Sequence, residues 1–242
     1  MEHRAPNSKV MCSMLFMGLF STTTPSSNRI SARLSTFWFK VWALLIPVVV
    51  SVLGLVGFLL TNQNIFFITG MEYVLAESLM IVIPLILLSF MIKDSLTLLY
   101  ATSMSVQADL MVKVVGSQWY WNYEISDIEE VAFTSYMKSC DDLMVGEVRF
   151  LEVDNRLVLP VMMKVQLNIT SSDVIHSFAL PSLGVKADAT AGILNVVSMT
   201  INKIGTHYGQ CSEICGMNHS YMPIVVEGSV FISFYYWIVS HF

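Results

Sequence analysis

Within the twelve residues Cys211-Ser-Glu-Ile-Cys-Gly-Met-Asn-His-Ser-Tyr-Met222 lie two thiols, an imidazole, a carboxylate and a thioether. Thiolates and imidazole together select soft or borderline metals, and a thioether three residues beyond the imidazole points to copper rather than zinc or calcium. The part Cys215-x3-His219-x2-Met222 has the spacing of a one-copper electron carrier, with Cys and His equatorial and Met a weak axial ligand. Such a site needs a second imidazole from an earlier strand, and His176, closing Ser171-Ser-Asp-Val-Ile-His176, is the candidate. Cys211 exceeds what one copper requires. A second thiolate four residues before Cys215 lets both sulfurs bridge two copper ions, with His176 and His219 each terminating one. The implied centre is binuclear and suited to electron transfer, because charge shared over two metals asks for little nuclear rearrangement. A structural zinc site built from the same residues would leave Met222 unused and lacks a second close thiol pair.

Other chemistry-bearing residues are weaker candidates. His207 is read as a surface or loop residue, His3 and His241 as solvated, and Cys12 and Cys140 as free thiols. Gly116-Ser-Gln-Trp-Tyr-Trp-Asn-Tyr123 gathers aromatics of the kind that anchor proteins at a membrane boundary. Trp119 within it could equally take an electron from a docked partner.

These residues need elements to position them. Trp42 to Leu60 is free of charge, and a helix of that length approaches the ~30 Å hydrocarbon core of a bilayer. A second apolar stretch runs from Ser78 to Ile92 and resumes from Ser95 to Tyr100 after Lys93 and Asp94, with Pro84 tolerable inside it. The spacing predicts two transmembrane helices, about 42–60 and 76–100, within a membrane region 37–100. Beyond Tyr100 the pattern becomes that of a β domain, 101–242. Lys164 to Thr170 alternates apolar and polar residues, which is the mark of a half-buried strand. Gly146–Val153, Asn195–Ile201 and Pro223–Phe234 are further predicted strands, with turn signals at Asp154-Asn155, Pro181-Ser-Leu-Gly184 and Gly205-Thr206. Short strands at this spacing predict a sandwich or barrel. Residues 1–36, rich in Arg, Ser and Thr and poor in acids, read as a transit-peptide-like leader, a signal-peptide core around Val10–Phe20, or a plain extension.

Composition agrees. Of 242 residues 55% are apolar and 13% charged, about half the charge of a soluble domain, and mean hydropathy is +0.63. Four cysteines are too few for a disulfide scaffold. A formal charge of −5 argues against nucleic acid as partner, because phosphate binding needs clustered Lys and Arg. From Ala101 onward seven basic residues face fourteen acidic ones, so the head is acidic and suited to steering a basic macromolecule. The basic residues before the first helix would, by the positive-inside rule alone, put the N-terminus on the matrix or cytoplasmic side.

Three segments in order, Gln118-Trp-Tyr-Trp121, Asp173-Val-Ile-His-Ser-Phe178 with Pro181-Ser-Leu-Gly-Val-Lys186, and Gly209-Gln-Cys-Ser-Glu-Ile-Cys-Gly216 with Asn218-His-Ser-Tyr-Met-Pro-Ile-Val-Val-Glu227, resemble subunit II of the haem-copper cytochrome c oxidases. The likeness covers roughly Val74 to Glu227. It implies a membrane-anchored α+β fold, a two-helix transmembrane hairpin carrying a cupredoxin-like Greek-key β-barrel with a binuclear copper A centre. Family roles fall on His176, Cys211, Glu213, Cys215, His219 and Met222 as copper ligands, Glu213 through its backbone carbonyl. The Glu213 carboxylate would hold magnesium at the boundary with subunit I. Trp119 resembles the residue through which electrons enter, and Glu77 the carboxylate at the proton-channel mouth.

The implied activity is acceptance of electrons from reduced cytochrome c and their passage to the haem of subunit I, where dioxygen is reduced to water with proton translocation. The implied partners are cytochrome c on the acidic head, subunit I, the other oxidase subunits and membrane lipid. The family's setting is the mitochondrial inner membrane, more than a bacterial plasma membrane, with both termini and the copper domain in the intermembrane space. That is opposite to the charge rule. A copper-free quinol-oxidase-type subunit and a membrane-tethered copper or zinc assembly protein are the rival readings. The sequence departs from the family at Ser117, where His is usual, at Ala191 and Ile193, where Pro and Arg are usual, and at Lys93-Asp94 in the second helix.

Overall fold

The computed structural model describes residues 26–61, 73–103, 107–125, 127 and 130–240. Most of the leader reading (1–25), the connection 62–72, Cys12, His3 and His241 lie outside them. The chain divides into two compact units, residues 33–101 and a head made of residues up to 32 with 102 onward.

The first unit is two helices. Helix α1 spans Arg29–Thr61 and helix α2 spans Val74–Ser103, each extending beyond the stretch read from hydropathy. Among the described residues these two are long and apolar enough to cross a membrane. Asn28 caps α1, its side-chain oxygen accepting the Ile30 N–H at 3.1 Å. That start falls inside the segment read as a leader. Pro47 and Pro84 sit within the helices without ending them. The Lys93-Asp94 departure is accommodated, because the Lys40 ammonium of α1 pairs with the Asp94 carboxylate of α2 at 2.5 Å. A charge inside an apolar span needs such a partner.

Among the described residues of the head, ten strands form three sheets: β1 (Leu110–Ser117), β2 (Tyr120–Ile125), β3 (Val131–Ser135), β4 (Leu157–Pro160), β5 (Lys164–Ser171), β6 (His176–Leu180), β7 (Val185–Ala189), β8 (Asn195–Thr200), β9 (Gly205–Gln210) and β10 (Pro223–Ser229). One sheet has the order β3-β2-β1-β5-β8, a second β4-β10-β9, and the third is the hairpin β6-β7. Inward positions alternate in β1 and β5, where Val112, Val114, Val165, Leu167 and Ile169 are fully buried, while β10 is buried on both faces from Pro223 to Val226. Trp121, Tyr123 and Phe178 fill the middle, with Phe178 edge-on to Trp121 at 5.3 Å between ring centres.

Two predicted strands differ. Gly146–Val153 is a run of turns, held by Leu151 and Glu152 N–H groups donating to the Val148 carbonyl, with Phe150 at φ +66° and only Val153 bridging to Met137. Pro223–Phe234 is a strand only to Ser229. Helix α3, Phe231–Ser240, follows, because Phe234 and Ile238, one turn apart, both reach the core.

Candidate metal centre

The twelve-residue segment singled out in the sequence is the connection between β9 and β10. Gln210 and Pro223 are cross-strand partners, so the antiparallel pair closes the loop at its base. The Ser212 N–H donates to the Ser177 carbonyl at 3.0 Å, tying the loop to β6, whose first residue is His176. Trp121 Nε1–H donates to the Met222 carbonyl at 3.3 Å from below. His176 is fully buried, and Gly116 on β1 leaves the room its ring needs: a Cβ there would lie 3.0 Å from the imidazole.

The side chains converge. Cys211 Sγ lies 3.9 Å from Cys215 Sγ. At one side His176 Nδ1 is 4.0 Å and the Glu213 carbonyl oxygen 3.4 Å from Cys211 Sγ. At the other side His219 Nδ1 and Met222 Sδ are each 3.4 Å from Cys215 Sγ. The donor atoms of His176, Cys211 and Cys215 lie within 4.8 Å of one another, and all three residues are buried. This set of two sulfurs, two imidazoles, a thioether and a carbonyl fits copper by its chemistry and gives a hard cation nothing but the one carbonyl. Glu213 itself is exposed to solvent.

Electrostatics favours a ligand-ready state. Burial alone pushes the Cys211 thiol up, but hydrogen bonds with the His176 ring and with the Ser177 and Glu213 backbone outweigh it and bring it well below an ordinary thiol. Burial and the neighbouring Cys211 charge push Cys215 up. For His176, burial opposes protonation, while Cys211 and Asp173 overcome it and raise the ring above its ordinary range.

Two residues outside the predicted ligand set support it. Asp173 Oδ1 meets His176 Nε2 at 2.8 Å, fixing the ring so that Nδ1 faces the thiols. Its other oxygen accepts the Gln118 N–H at 2.7 Å. Gln118 Nε2–H in turn donates to the Cys215 carbonyl at 2.8 Å. A carboxylate three residues before a candidate histidine was the available signal for Asp173; nothing in the spacing marks Gln118.

Trp119 packs against the loop. Gly216, at φ +124°, lets the indole lie where a Cβ would be 3.1 Å from its ring. Glu77 belongs to the other unit, exposed in the first turn of α2. His207, read as a surface residue, is instead buried in β9 with Nδ1 3.2 Å from the Ser182 hydroxyl, and burial holds its imidazole below the ordinary value.

Comparison with known proteins agrees with this geometry. Residues 110–229 match the model of the periplasmic domain of cytochrome c oxidase subunit II. Cytochrome c oxidase subunit 2 of Caenorhabditis remanei is 47% identical over 203 residues, covering 83% of this chain and 88% of that one. That of Ascaris suum is 44% identical over 215 residues, 88% and 93% of the two chains. The crystal structure of the periplasmic domain of cytochrome oxidase subunit II from Bradyrhizobium japonicum superposes with a TM-score of 0.54 at 41% identity, covering 57% of this chain and 96% of that one. With the ordered cysteines, histidines and methionine on a head of the same fold, the chain belongs to the cytochrome c oxidase subunit II family.

Proposed function

We propose that this chain accepts electrons from reduced cytochrome c at a binuclear copper A centre and hands them to subunit I, where dioxygen is reduced to water and protons are translocated. The observation that carries the reading is the symmetry of the cluster. Two sulfurs 3.9 Å apart stand in the middle, His176 with the Glu213 carbonyl on the Cys211 side and His219 with Met222 on the Cys215 side. A single tetrahedral ion would leave two of those six donors unused. When bound, the copper pair supplies a one-electron carrier of low reorganisation.

The chain's own residues do the rest. The buried floor of Trp121 and Phe178 keeps water from the ligands. Asp173 and Gln118 hold His176 and the Cys215 carbonyl. Trp119, against Gly216, is where electrons enter. The Glu213 carboxylate holds magnesium toward subunit I, and Glu77 serves the proton-channel mouth. The acidic head receives cytochrome c, in a mitochondrial inner membrane with the head in the intermembrane space.

Metal analysis of the full-length chain tests the reading. Two coppers per chain, with the multiline paramagnetic resonance signal of one electron shared by two copper nuclei, is the expected result. One copper, one zinc or no metal refutes it in favour of an assembly protein or a quinol-oxidase-type subunit.

A further inference from the structure

Helix α3 holds ten residues without a single charge. Phe234 and Ile238 are buried, and Trp237 packs on Phe133 with ring centres 5.5 Å apart. The face turned outward carries Ser233 and Ser240 and is otherwise made of apolar and aromatic side chains. Phe231, Ile232, Tyr235, Tyr236 and Val239 recur at one-turn spacing and are all exposed, Ile232 and Tyr236 by 68% and 69%. A helix between a core and water normally carries its charges on that outer face. A contiguous apolar surface of this kind marks something that covers it.

The head's own hydrogen bonds locate this face. β10 begins at Pro223, directly after Met222, so the start of α3 lies at the end of the head away from the metal cluster. There the Ser229 carbonyl accepts the Val161 N–H at 2.8 Å and the Ile201 carbonyl accepts the Met162 N–H at 2.8 Å. The Asn202 N–H donates to the Ser27 carbonyl at 2.9 Å, and the Ser27 N–H to the Ser182 carbonyl at 3.0 Å. Ser27 stands two residues ahead of α1. At the same end Ile30, Thr102 and Ser103 share a cavity with Leu183 and Val185. The chain therefore leaves and rejoins the head, at residues 32 and 102, from the end where α3 starts.

We propose that the outer face of α3 rests in the interfacial layer of the lipid bilayer that α1 and α2 cross. Tyr and Phe side chains suit that layer, where an apolar ring can sink while a hydroxyl stays wet. A helix lying in the interface gains from buried apolar area, and the absence of charge on α3 removes the cost of sinking it. The proposal rests on the membrane anchorage and not on the copper reading, so failure of either leaves the other standing.

Photo-crosslinking tests it. A benzophenone amino acid is placed at Ile232, at Tyr236 and, as a control on an exposed loop, at Val145, which is 96% exposed. Each full-length chain is irradiated in phosphatidylcholine nanodiscs and, separately, within the intact oxidase complex in native lipid; circular dichroism checks that each variant is folded. The expected result is phospholipid adducts at Ile232 and Tyr236 in both preparations and none at Val145. Adducts to another protein subunit in the complex, whatever the nanodiscs give, overturn the proposal in favour of a protein partner. Absence of lipid adducts at both positions in either preparation, or lipid adducts at Val145 as abundant as at Tyr236, overturns it outright.

Discussion

Asp173 is where a single side chain shows how this site is held. Its Oδ1 meets His176 Nε2 at 2.8 Å and also accepts the Val174 N–H at 2.7 Å, while Oδ2 takes the Gln118 N–H. Burial works against ionisation, but these donors win and hold the carboxyl below the ordinary carboxylate range. The charge is thus fixed at neutral pH, and it orients a ring whose other nitrogen faces Cys211. Asp173→Asn keeps the shape and removes the charge. Copper affinity should fall about 10–100-fold, the usual cost of losing a ligand's outer partner. Competition with a calibrated chelator measures it, and unchanged affinity would show that the contact only packs. The candidate ligands from Cys211 to Met222 were legible in the sequence because they lie on one loop, whereas the contact of Asp173 with His176 is made by a turn that only the folded chain displays.

At the scale of elements, the loop is only as rigid as the β4-β10-β9 sheet beneath it. Arg156, just ahead of β4, grips Glu152 with two nitrogens at 2.8 and 3.0 Å and reaches Glu227 of β10 at 3.2 Å. The Tyr208 hydroxyl of β9 also donates to Glu152, at 3.3 Å. The Glu152 side chain is fully buried, so its charge depends on that guanidinium. Arg156→Met should destabilise the head by about 3 kcal/mol, since removing one partner strands a buried carboxylate. Thermal unfolding measures this, and Glu152→Gln in the same background should recover part of the loss. This sheet also separates what the sequence revealed from what it hid. β5 was readable from alternation because one face is buried and the other is not. Gly146–Val153 also looked like a strand, yet its backbone turns at Gly146 and Phe150, and Glu152 is buried against Arg156. The aromatic run after Ser229 favours strands by propensity. It became a helix because two residues four apart could both enter the core, a tertiary preference that local composition does not carry.

For the whole molecule, the proposed docking of cytochrome c on the acidic head makes the asymmetry of charge testable. The head holds twice as many acidic as basic residues from Ala101 onward, and Asp141 and Asp142 are exposed on the loop that follows Tyr136. Tyr136 stacks on Tyr120 at 4.6 Å, and Tyr120 adjoins Trp119, so this loop flanks the surface where electrons are expected to enter. Exposed charges steer a basic protein over distances of about the Debye length, ~10 Å at 0.1 M salt, and mainly change its on-rate. The double variant Asp141→Asn with Asp142→Asn should therefore raise the KM for reduced cytochrome c several-fold at low ionic strength. The difference from the parent should vanish as salt screens both proteins. kcat should stay within error, because neither carboxylate touches the metal ligands. Steady-state oxidation of cytochrome c by the intact complex across an ionic-strength series checks each part. A KM shift that persists at high salt would mean direct contact instead of steering, and a fall in kcat would mean that the loop helps to position Trp119.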